Sequence, residues 1–274
     1  MAFVTRFAPS PTGPLHLGHA YSALLAHDMA RAAGGVCLLR IEDIDQSRCR
    51  PQWEAQIYDD LQWLGLNWPE PVLRQSDNLA AYDRALSKLD QFCYPCRCNR
   101  ADIRAALSAP QEGVLHAGPD GLIYPGTCRH RSLAETTEAD AIRLDITKAM
   151  QDQSVSYCEG STIIQADRAA MLHSVGDIIL SRRDISTSYH LSVVVDDAAQ
   201  GVTDVVRGMD LQEATKIHAL LQRALCLPTP IYHHHRLIRD EQGKRLAKRD
   251  DARALSKYRA EGATPADIRR MVGL

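Results

Sequence analysis

The chain of 274 residues lacks long apolar runs, a basic N-terminal leader and an excess of charge of either sign. No run approaches the roughly 18 apolar residues that a membrane helix needs, so we expect no membrane span and no membrane partner. Nothing at the N-terminus resembles a signal peptide, in which a basic stretch precedes an apolar core. These absences predict a soluble, cytoplasmic protein.

The formal net charge is only -2, which excludes a global field that attracts nucleic acid. The charge is nevertheless uneven, because residues 236–274 contain 11 Lys and Arg against six Asp and Glu. A basic segment of this kind can contact phosphates. On charge alone, a solvated helical surface is the better explanation.

Eight cysteines in a chain without a leader predict reduced thiols rather than disulfides. Cys96, Cys98 and Cys128 fall in a segment with scattered Pro and Gly and little periodicity. Their clustering is typical of zinc, which takes four tetrahedral ligands and prefers thiolates, although unliganded thiols are the alternative. Chemistry alone prefers Cys or His as the fourth ligand. The candidates are Cys93, His116, Tyr124 and His130.

An N-terminal loop joins a predicted strand, Val4–Phe7, to a predicted helix, Leu17–Ala33. Three prolines and a glycine exclude a helix between Pro9 and Pro14. His16 and His19 therefore lie at the start of the helix, where unpaired N–H groups and the helix dipole attract phosphate. Gly18 leaves space there for a base or ribose.

A second predicted strand, Val36–Ile41, completes a βαβ unit and ends next to Glu42. After a less regular middle segment, residues 201–208 predict another parallel strand, which contains Arg207, with a helix behind it. Ligands bind beyond the carboxyl ends of parallel strands. We therefore expect an α/β protein with a parallel sheet interrupted by an insertion.

Four charged or polar residues are predicted at or beside strand ends: Arg6, Glu42, Tyr189 and Arg207. An arginine can hold a carboxylate in a fork and a carboxylate can hold an ammonium, which suits an amino acid with an acidic side chain. Lys248, in a basic loop, is the candidate cation for the phosphates of ATP. The histidines at 233–235 alternate faces on a strand and are interpreted as structural.

Together these motifs resemble the class I aminoacyl-tRNA synthetases, specifically the catalytic half of glutamyl-tRNA synthetases. Residues 9–19 are similar to the HIGH region of that family, and residues 245–249 are similar to its KMSKS loop. Between them, the family's motifs recur in order at 40–45, 189–191, 195–197 and 201–208. The resemblance covers almost the whole chain.

The resemblance implies a Rossmann-type parallel sheet with an inserted zinc-bearing subdomain and a short helical C-terminal segment. Its implied parts are 1–92 and 176–235 for the two halves of the catalytic domain, 93–175 for the insertion, and 236–274 for the KMSKS-like loop and final helices. The implied glutamate-binding residues are Arg6, Phe7, Ala8, Pro9, Ser10, Glu42, Tyr189 and Arg207. ATP, with Mg²⁺, is implied at His16, Gly18, His19 and Lys248. The implied structural zinc ligands are Cys96, Cys98, Tyr124 and Cys128.

The chain ends at Leu274 without the helical anticodon-binding region of glutamyl-tRNA synthetases. Val193 also replaces the Asn that is usual in that family. Both features favour a truncated branch that attaches L-glutamate to the queuosine base in the anticodon loop of tRNA(Asp), and we expect a monomer. The main alternative is a minimal glutamyl-tRNA synthetase that charges the 3′ end of tRNA. A non-catalytic binding paralogue and a HIGH-type adenylyltransferase are further alternatives.

Overall fold

The computed structural model describes residues 2–107, 117–151, 153–239 and 253–274. The strands are β1 Val4–Phe7, β2 Val36–Ile41, β3 Leu73–Arg74, β4 Cys93–Cys96, β5 Ala117–Gly118, β6 Gly121–Leu122, β7 Ala141–Leu144, β8 Val155–Glu159, β9 Thr162–Ala166, β10 Ile178–Ser181, β11 Asp204–Gly208 and β12 Ile231–His235. The α-helices are α1 Leu17–Ala32, α2 Pro51–Trp63, α3 Leu79–Lys88, α4 Arg100–Leu107, α5 Ile146–Met150, α6 Arg168–Ser174, α7 Tyr189–Ala199, α8 Thr215–Ala224, α9 Leu255–Ala260 and α10 Pro265–Val272. Among the described residues, no helix is both long and apolar enough to span a membrane.

The chain divides into two compact units, each built from separate segments of sequence. The first unit comprises Met1–Asp77, Gly201–Gln212 and Pro230–Leu274, and the second comprises Asn78–Gln200 and Glu213–Thr229. The four-part division inferred from the family resemblance stays a prediction.

Parallel strands form the centre of the first unit. β1 pairs with β2 in parallel, β2 pairs with β3 in parallel, and β11 pairs with β12 in parallel. Thr203, just before β11, donates its N–H to the carbonyl of Val4 over 2.9 Å, so β11 begins beside β1. The predicted parallel sheet is thus confirmed. Because β2 and β11 flank β1 on opposite sides, the strand order reverses at β1, where α/β sheets usually bind ligands.

Helix α1 packs against β1, β2 and β11. Its predicted apolar face is only partly correct, because Tyr21 and Leu24 are buried whereas Leu17, Leu25 and Met29 are half-buried. Alanines complete the buried face and let the helix approach the sheet closely: Ala20, Ala23, Ala26 and Ala30. The same core includes residues from α9 and α10, namely Leu255, Ile268 and Val272, none of which has exposed surface.

The second unit contains antiparallel strands and helices. β7 lies between β4 and β10 and pairs antiparallel with both, β8 and β9 form one hairpin, and β5 and β6 form another. Helix α7 packs against α3 and α8. Asp196 anchors α7 to α3, because its fully buried carboxylate accepts hydrogen bonds from Tyr82 Oη at 2.9 Å and Asn78 Nδ2 at 2.8 Å.

Candidate active site

The loop after β1 and the end of β2 are joined through the backbone of Glu42. Its N–H donates to the carbonyl of Pro9 over 3.1 Å. Its Oε1 accepts from a guanidinium nitrogen of Arg40 over 3.2 Å, and the Arg40 side chain has no exposed surface. Arg6, in β1, is itself 5 % exposed. Arg6, Pro9 and Glu42 thus lie at one edge of the parallel sheet.

Sequence reasoning did not assign a role to Arg40, which orients Glu42. The signal was available, because residues two apart in a strand lie on the same face of a sheet. An arginine two positions before a carboxylate is therefore a candidate partner for it. The Arg40 contact fixes one oxygen of Glu42.

Arg207 is held from several directions at the carboxyl end of β11. Its Nε lies 3.1 Å from Nε2 of His234, its partner in the β11–β12 register. A terminal nitrogen donates to the carbonyl of Leu211 over 3.2 Å, and the guanidinium carbon lies 5.1 Å from the centroid of the Tyr232 ring. Arg207 is 5 % exposed. These contacts fix the guanidinium in one orientation, as recognition of a carboxylate requires.

His16 and His19 form the N-terminal cap of α1. Nδ1 of His16 accepts from the N–H of Gly18, and Nδ1 of His19 accepts from the N–H of His16, both over 3.1 Å. Each Nδ1 therefore carries a lone pair, so the proton of each neutral ring is on Nε2. The ring centroids are 3.8 Å apart. The cap thus fixes both imidazoles in the tautomer whose Nε2 donates, which suits phosphate oxygens.

The structure gives a reason for glycine at position 18 that differs from the space for a nucleotide predicted from the sequence. A Cβ at this position would lie 3.0 Å from Cε1 of His16 and 3.1 Å from its Nδ1. Such contacts are tighter than most side chains accept, so a larger residue would displace the His16 ring. Gly18 therefore permits the His16 cap itself.

The remaining predicted residues of this site have different placements. Tyr189 belongs to the second unit and is the first residue of α7, with Ser188 as the N-cap. The expectation that Tyr189 lies at or beside a strand end is therefore wrong, because this segment begins a helix. Phe7 ends β1, and Ala8 and Ser10 follow it in the loop. Lys248 and His116 lie outside the described residues.

Four side chains in the second unit converge as a cysteine cluster, defined as Cys96, Cys98, Tyr124 and Cys128. The three Sγ atoms lie within 4.8 Å of one another, and those of Cys98 and Cys128 are 3.6 Å apart. The Tyr124 hydroxyl lies 3.3 Å from Sγ of Cys96 and 3.4 Å from Sγ of Cys98. Three sulfurs and one oxygen at this spacing fit the tetrahedral coordination of zinc.

Electrostatics favour a thiolate at one position of the cysteine cluster. Burial opposes ionisation of Cys128, but hydrogen bonds from Tyr124 and from the backbone of Arg97 lower its pKa to about 7. Burial raises the pKa of Cys98 to about 11. The guanidinium carbon of Arg143 lies 4.0 Å from the centroid of the Tyr124 ring. Zinc binding requires deprotonated sulfur, so Cys128 is already suited to it.

Comparison with known proteins assigns this chain to a family. Residues 2–274 match the family "tRNA synthetases class I (E and Q), catalytic domain". The chain belongs to this family.

Relatives within the class I tRNA synthetases are similar along the whole chain. The glutamyl-Q tRNA(Asp) synthetase of Rhodobacter capsulatus is 60 % identical over 280 residues, covering 99 % of this chain and 100 % of the relative. The glutamyl-Q tRNA(Asp) synthetase of Deinococcus radiodurans is 43 % identical, covering 98 % of this chain and 87 % of the relative. The resemblance predicted from the motifs is confirmed by these identities.

Solved structures agree with the class I catalytic fold. The crystal structure of a glutamate tRNA ligase from Elizabethkingia meningosepticum, in complex with its amino acid, matches with a TM-score of 0.78 at 26 % identity. The match covers 100 % of this chain but 61 % of that ligase. A methionyl-tRNA synthetase from Mycobacterium tuberculosis, 10 % identical, matches with a TM-score of 0.62 over 98 % of this chain and 63 % of its own, which shows the fold alone.

Proposed function

We propose that this protein activates L-glutamate with ATP and transfers it to the queuosine base at the wobble position of tRNA(Asp). The observation that carries the proposal is the 60 % identity, over 99 % of the chain, with a glutamyl-Q tRNA(Asp) synthetase. A cytoplasmic location is part of the proposal, because tRNA and ATP are cytoplasmic substrates. We also propose that the protein is a monomer.

In the first step, an oxygen of the glutamate α-carboxylate attacks the α-phosphorus of ATP. The bond to the bridging oxygen breaks, and pyrophosphate leaves with its electron pair, which gives glutamyl-adenylate. Glu42, oriented by Arg40, suits the substrate ammonium, and Arg6 and Arg207 suit its carboxylates. Phe7, Ala8, Pro9 and Ser10 border the same edge, and Tyr189 is proposed as a glutamate contact on the family resemblance.

The proposed ATP contacts are His16, Gly18, His19 and Lys248. The two imidazoles donate through Nε2, and the first turn of α1 adds the positive end of its dipole. Lys248 supplies a cation for the charge that develops on the departing pyrophosphate. Mg²⁺, bound with ATP, supplies further positive charge to the phosphates.

In the second step, a hydroxyl of the queuosine cyclopentenediol attacks the glutamyl carbonyl. The carbonyl–phosphate bond breaks, AMP leaves, and the hydroxyl proton is released as the ester forms. No covalent intermediate with a side chain is required, so positioning and electrostatics supply the rate acceleration.

The cysteine cluster is proposed as a structural zinc site. Cys96, Cys98, Tyr124 and Cys128 would hold the ion, which supplies a rigid cross-link between β4 and the loop containing Tyr124 and Cys128. The cluster packs against Tyr94 and Ile103. A cross-link suits a segment with so small a core.

The acceptor is tested by incubating the enzyme with radiolabelled glutamate, ATP and tRNA(Asp), with and without queuosine. We expect label only on the queuosine-containing tRNA, and we expect it to remain after removal of the 3′-terminal nucleotide. Label that appears without queuosine and is lost with that nucleotide would instead establish charging of the 3′ end.

The activation step is tested with Lys248→Ala in glutamate-dependent exchange of pyrophosphate into ATP. Removing a cation that acts on developing charge should lower kcat roughly 100-fold or more, with little change in KM. Exchange at the wild-type rate would contradict the role of Lys248. An absence of exchange in the wild-type protein would contradict activation of glutamate altogether.

A further inference from the structure

A cluster of three aromatic rings lies at the start of α7 in the second unit. The Tyr189 ring packs edge-on to His190, with centroids 5.4 Å apart and an interplanar angle of 62°. It packs similarly against His218 of α8, at 5.6 Å and 64°. Edge-to-face contacts of this kind fix the orientation of a ring.

Both nitrogens of the His190 ring have partners. Nδ1 lies 3.0 Å from Nε2 of His218, and Nε2 lies 2.9 Å from Oδ1 and 3.0 Å from Oδ2 of Asp120. A carboxylate only accepts, so Nε2 of His190 carries a proton and donates it. Nδ1 and the His218 nitrogen then share one proton between them. Because the two edges of the ring face different partners, a flip of the ring would break both contacts.

The two histidines of this cluster are almost completely buried, so their hydrogen bonds cannot be replaced by bonds to water. His190 is 5 % exposed and His218 is 2 % exposed. The Asp120 side chain is 54 % exposed and lies at the turn between β5 and β6. Losing one partner would leave a buried imidazole nitrogen unsatisfied, which costs more than the net gain of a typical hydrogen bond.

We propose that His218 and Asp120 are positioning residues that act on glutamate binding through Tyr189. They fix both nitrogens of His190, and the two imidazoles together hold the phenol of Tyr189 in the orientation that receives glutamate. The inference rests on the proposed function, because it requires Tyr189 to contact that substrate. Neither His218 nor Asp120 needs to touch the substrate itself.

The first test compares His218→Leu with His218→Gln in glutamate-dependent ATP–pyrophosphate exchange. We expect His218→Leu to raise KM for glutamate about tenfold, the scale of one lost aromatic and hydrogen-bond contact, and to leave KM for ATP unchanged. His218→Gln, which again offers a hydrogen-bonding atom to His190, should recover most of the loss. Asp120→Ala should raise KM for glutamate in the same direction.

Gln222→Leu is the matched control, because Gln222 is buried one turn later on the same helix and is 1 % exposed. We expect Gln222→Leu to change neither KM for glutamate nor KM for ATP, whatever its effect on the melting temperature. Two outcomes would show only a general structural role for His218 and overturn the proposal. In the first, His218→Leu raises KM for glutamate and KM for ATP equally. In the second, Gln222→Leu raises KM for glutamate as much as His218→Leu does.

A double-mutant cycle with Tyr189→Ala tests whether the effect passes through Tyr189. We expect His218→Leu to add nothing to KM for glutamate in the Tyr189→Ala background, since coupled residues are non-additive. The proposal would be overturned if the effects of His218→Leu and Tyr189→Ala on KM for glutamate multiplied in the double variant. It would also be overturned if Tyr189→Ala alone left KM for glutamate unchanged. These outcomes differ from failure of the proposed function, which would abolish glutamate-dependent exchange in the wild-type protein.

Discussion

Asp60, in α2, has no exposed surface, and among the described residues neither of its carboxylate oxygens has a hydrogen-bond partner. Burial, together with the neighbouring charge of Asp59, raises its pKa from 3.8 to about 6. A carboxylate whose pKa is higher in the folded than in the unfolded protein is costly when ionised. Its contribution to stability is therefore most favourable below pH 4 and is lost as the pH rises through 6.

We expect Asp60→Asn to stabilise the protein at neutral pH, because the amide does not ionise. The gain in free energy of unfolding over the wild type should grow between pH 4 and pH 7 and reach about 3 kcal/mol. Urea unfolding at several pH values measures it. Asp83→Asn, an exposed position on α3, is the control that should show no such trend. A gain for Asp60→Asn that does not vary with pH would contradict the interpretation.

At the scale of elements, the histidines that cap α1 are also the proposed ATP contacts, and we expect these two roles to be separable. His16→Ala removes the N-cap acceptor and should lower the free energy of unfolding by about 1 kcal/mol. His16→Asn keeps an acceptor oxygen and should unfold like the wild type. Both variants lose the Nε2 donor, so both should lose most ATP–pyrophosphate exchange. If His16→Asn recovered exchange together with stability, the imidazole would have no role beyond the cap.

The cysteine cluster predicts about one zinc ion per chain, measured by elemental analysis after dialysis. Cys98→Ser should lose most of the metal and lower the melting temperature, because the cross-link at the end of β4 is weakened. Cys158, on β8, is outside the cysteine cluster, so Cys158→Ser should retain both metal and stability. Equal metal contents in the two variants would exclude the cluster as the site.

Helix α7 shows where prediction at this scale fails. Residues 189–197 contain a run of apolar residues that suits a buried strand or a buried helix, and the structure has a helix. By contrast, β1, α1 and β2 were predicted almost to the residue, because prolines and Gly35 separate segments with different periods. Local breakers fix boundaries, whereas an apolar run without them does not.

At the scale of the whole molecule, the large apolar side chains exposed in the described part of the chain belong to different elements. They lie on β2, α3, β9, β12, α10 and neighbouring segments, and Ile163 is the most exposed at 67 %. An obligate dimer requires a continuous apolar interface. We therefore expect light scattering to give the mass of one chain, 30.4 kDa. A mass of twice that value at micromolar concentration would contradict the prediction.

The sequence predicts chemistry better than it predicts partners distant in the chain. The cysteine cluster was recognisable from residue type, because thiols in a segment without periodicity are typical metal ligands whatever their separation in sequence. Contacts such as Arg207 with His234 and His190 with Asp120 were not, since the paired residues are 27 and 70 positions apart. Periodicity predicts which face of a helix or strand is buried, but it does not predict which polar side chain elsewhere in the chain contacts that face.

The first unit also constrains the order in which the chain acquires its structure during synthesis. Val4 bonds to Thr203, and Arg269 pairs with Asp28 across 241 positions of sequence. The core beside α1 is completed by Ile268 and Val272 of α10, a helix far from α1 in the sequence. Contacts so distant in sequence form slowly and leave apolar surface uncovered meanwhile. The first strand and helix, with both histidines, therefore complete their core only after α10 has been synthesised, when most of the second unit has already emerged.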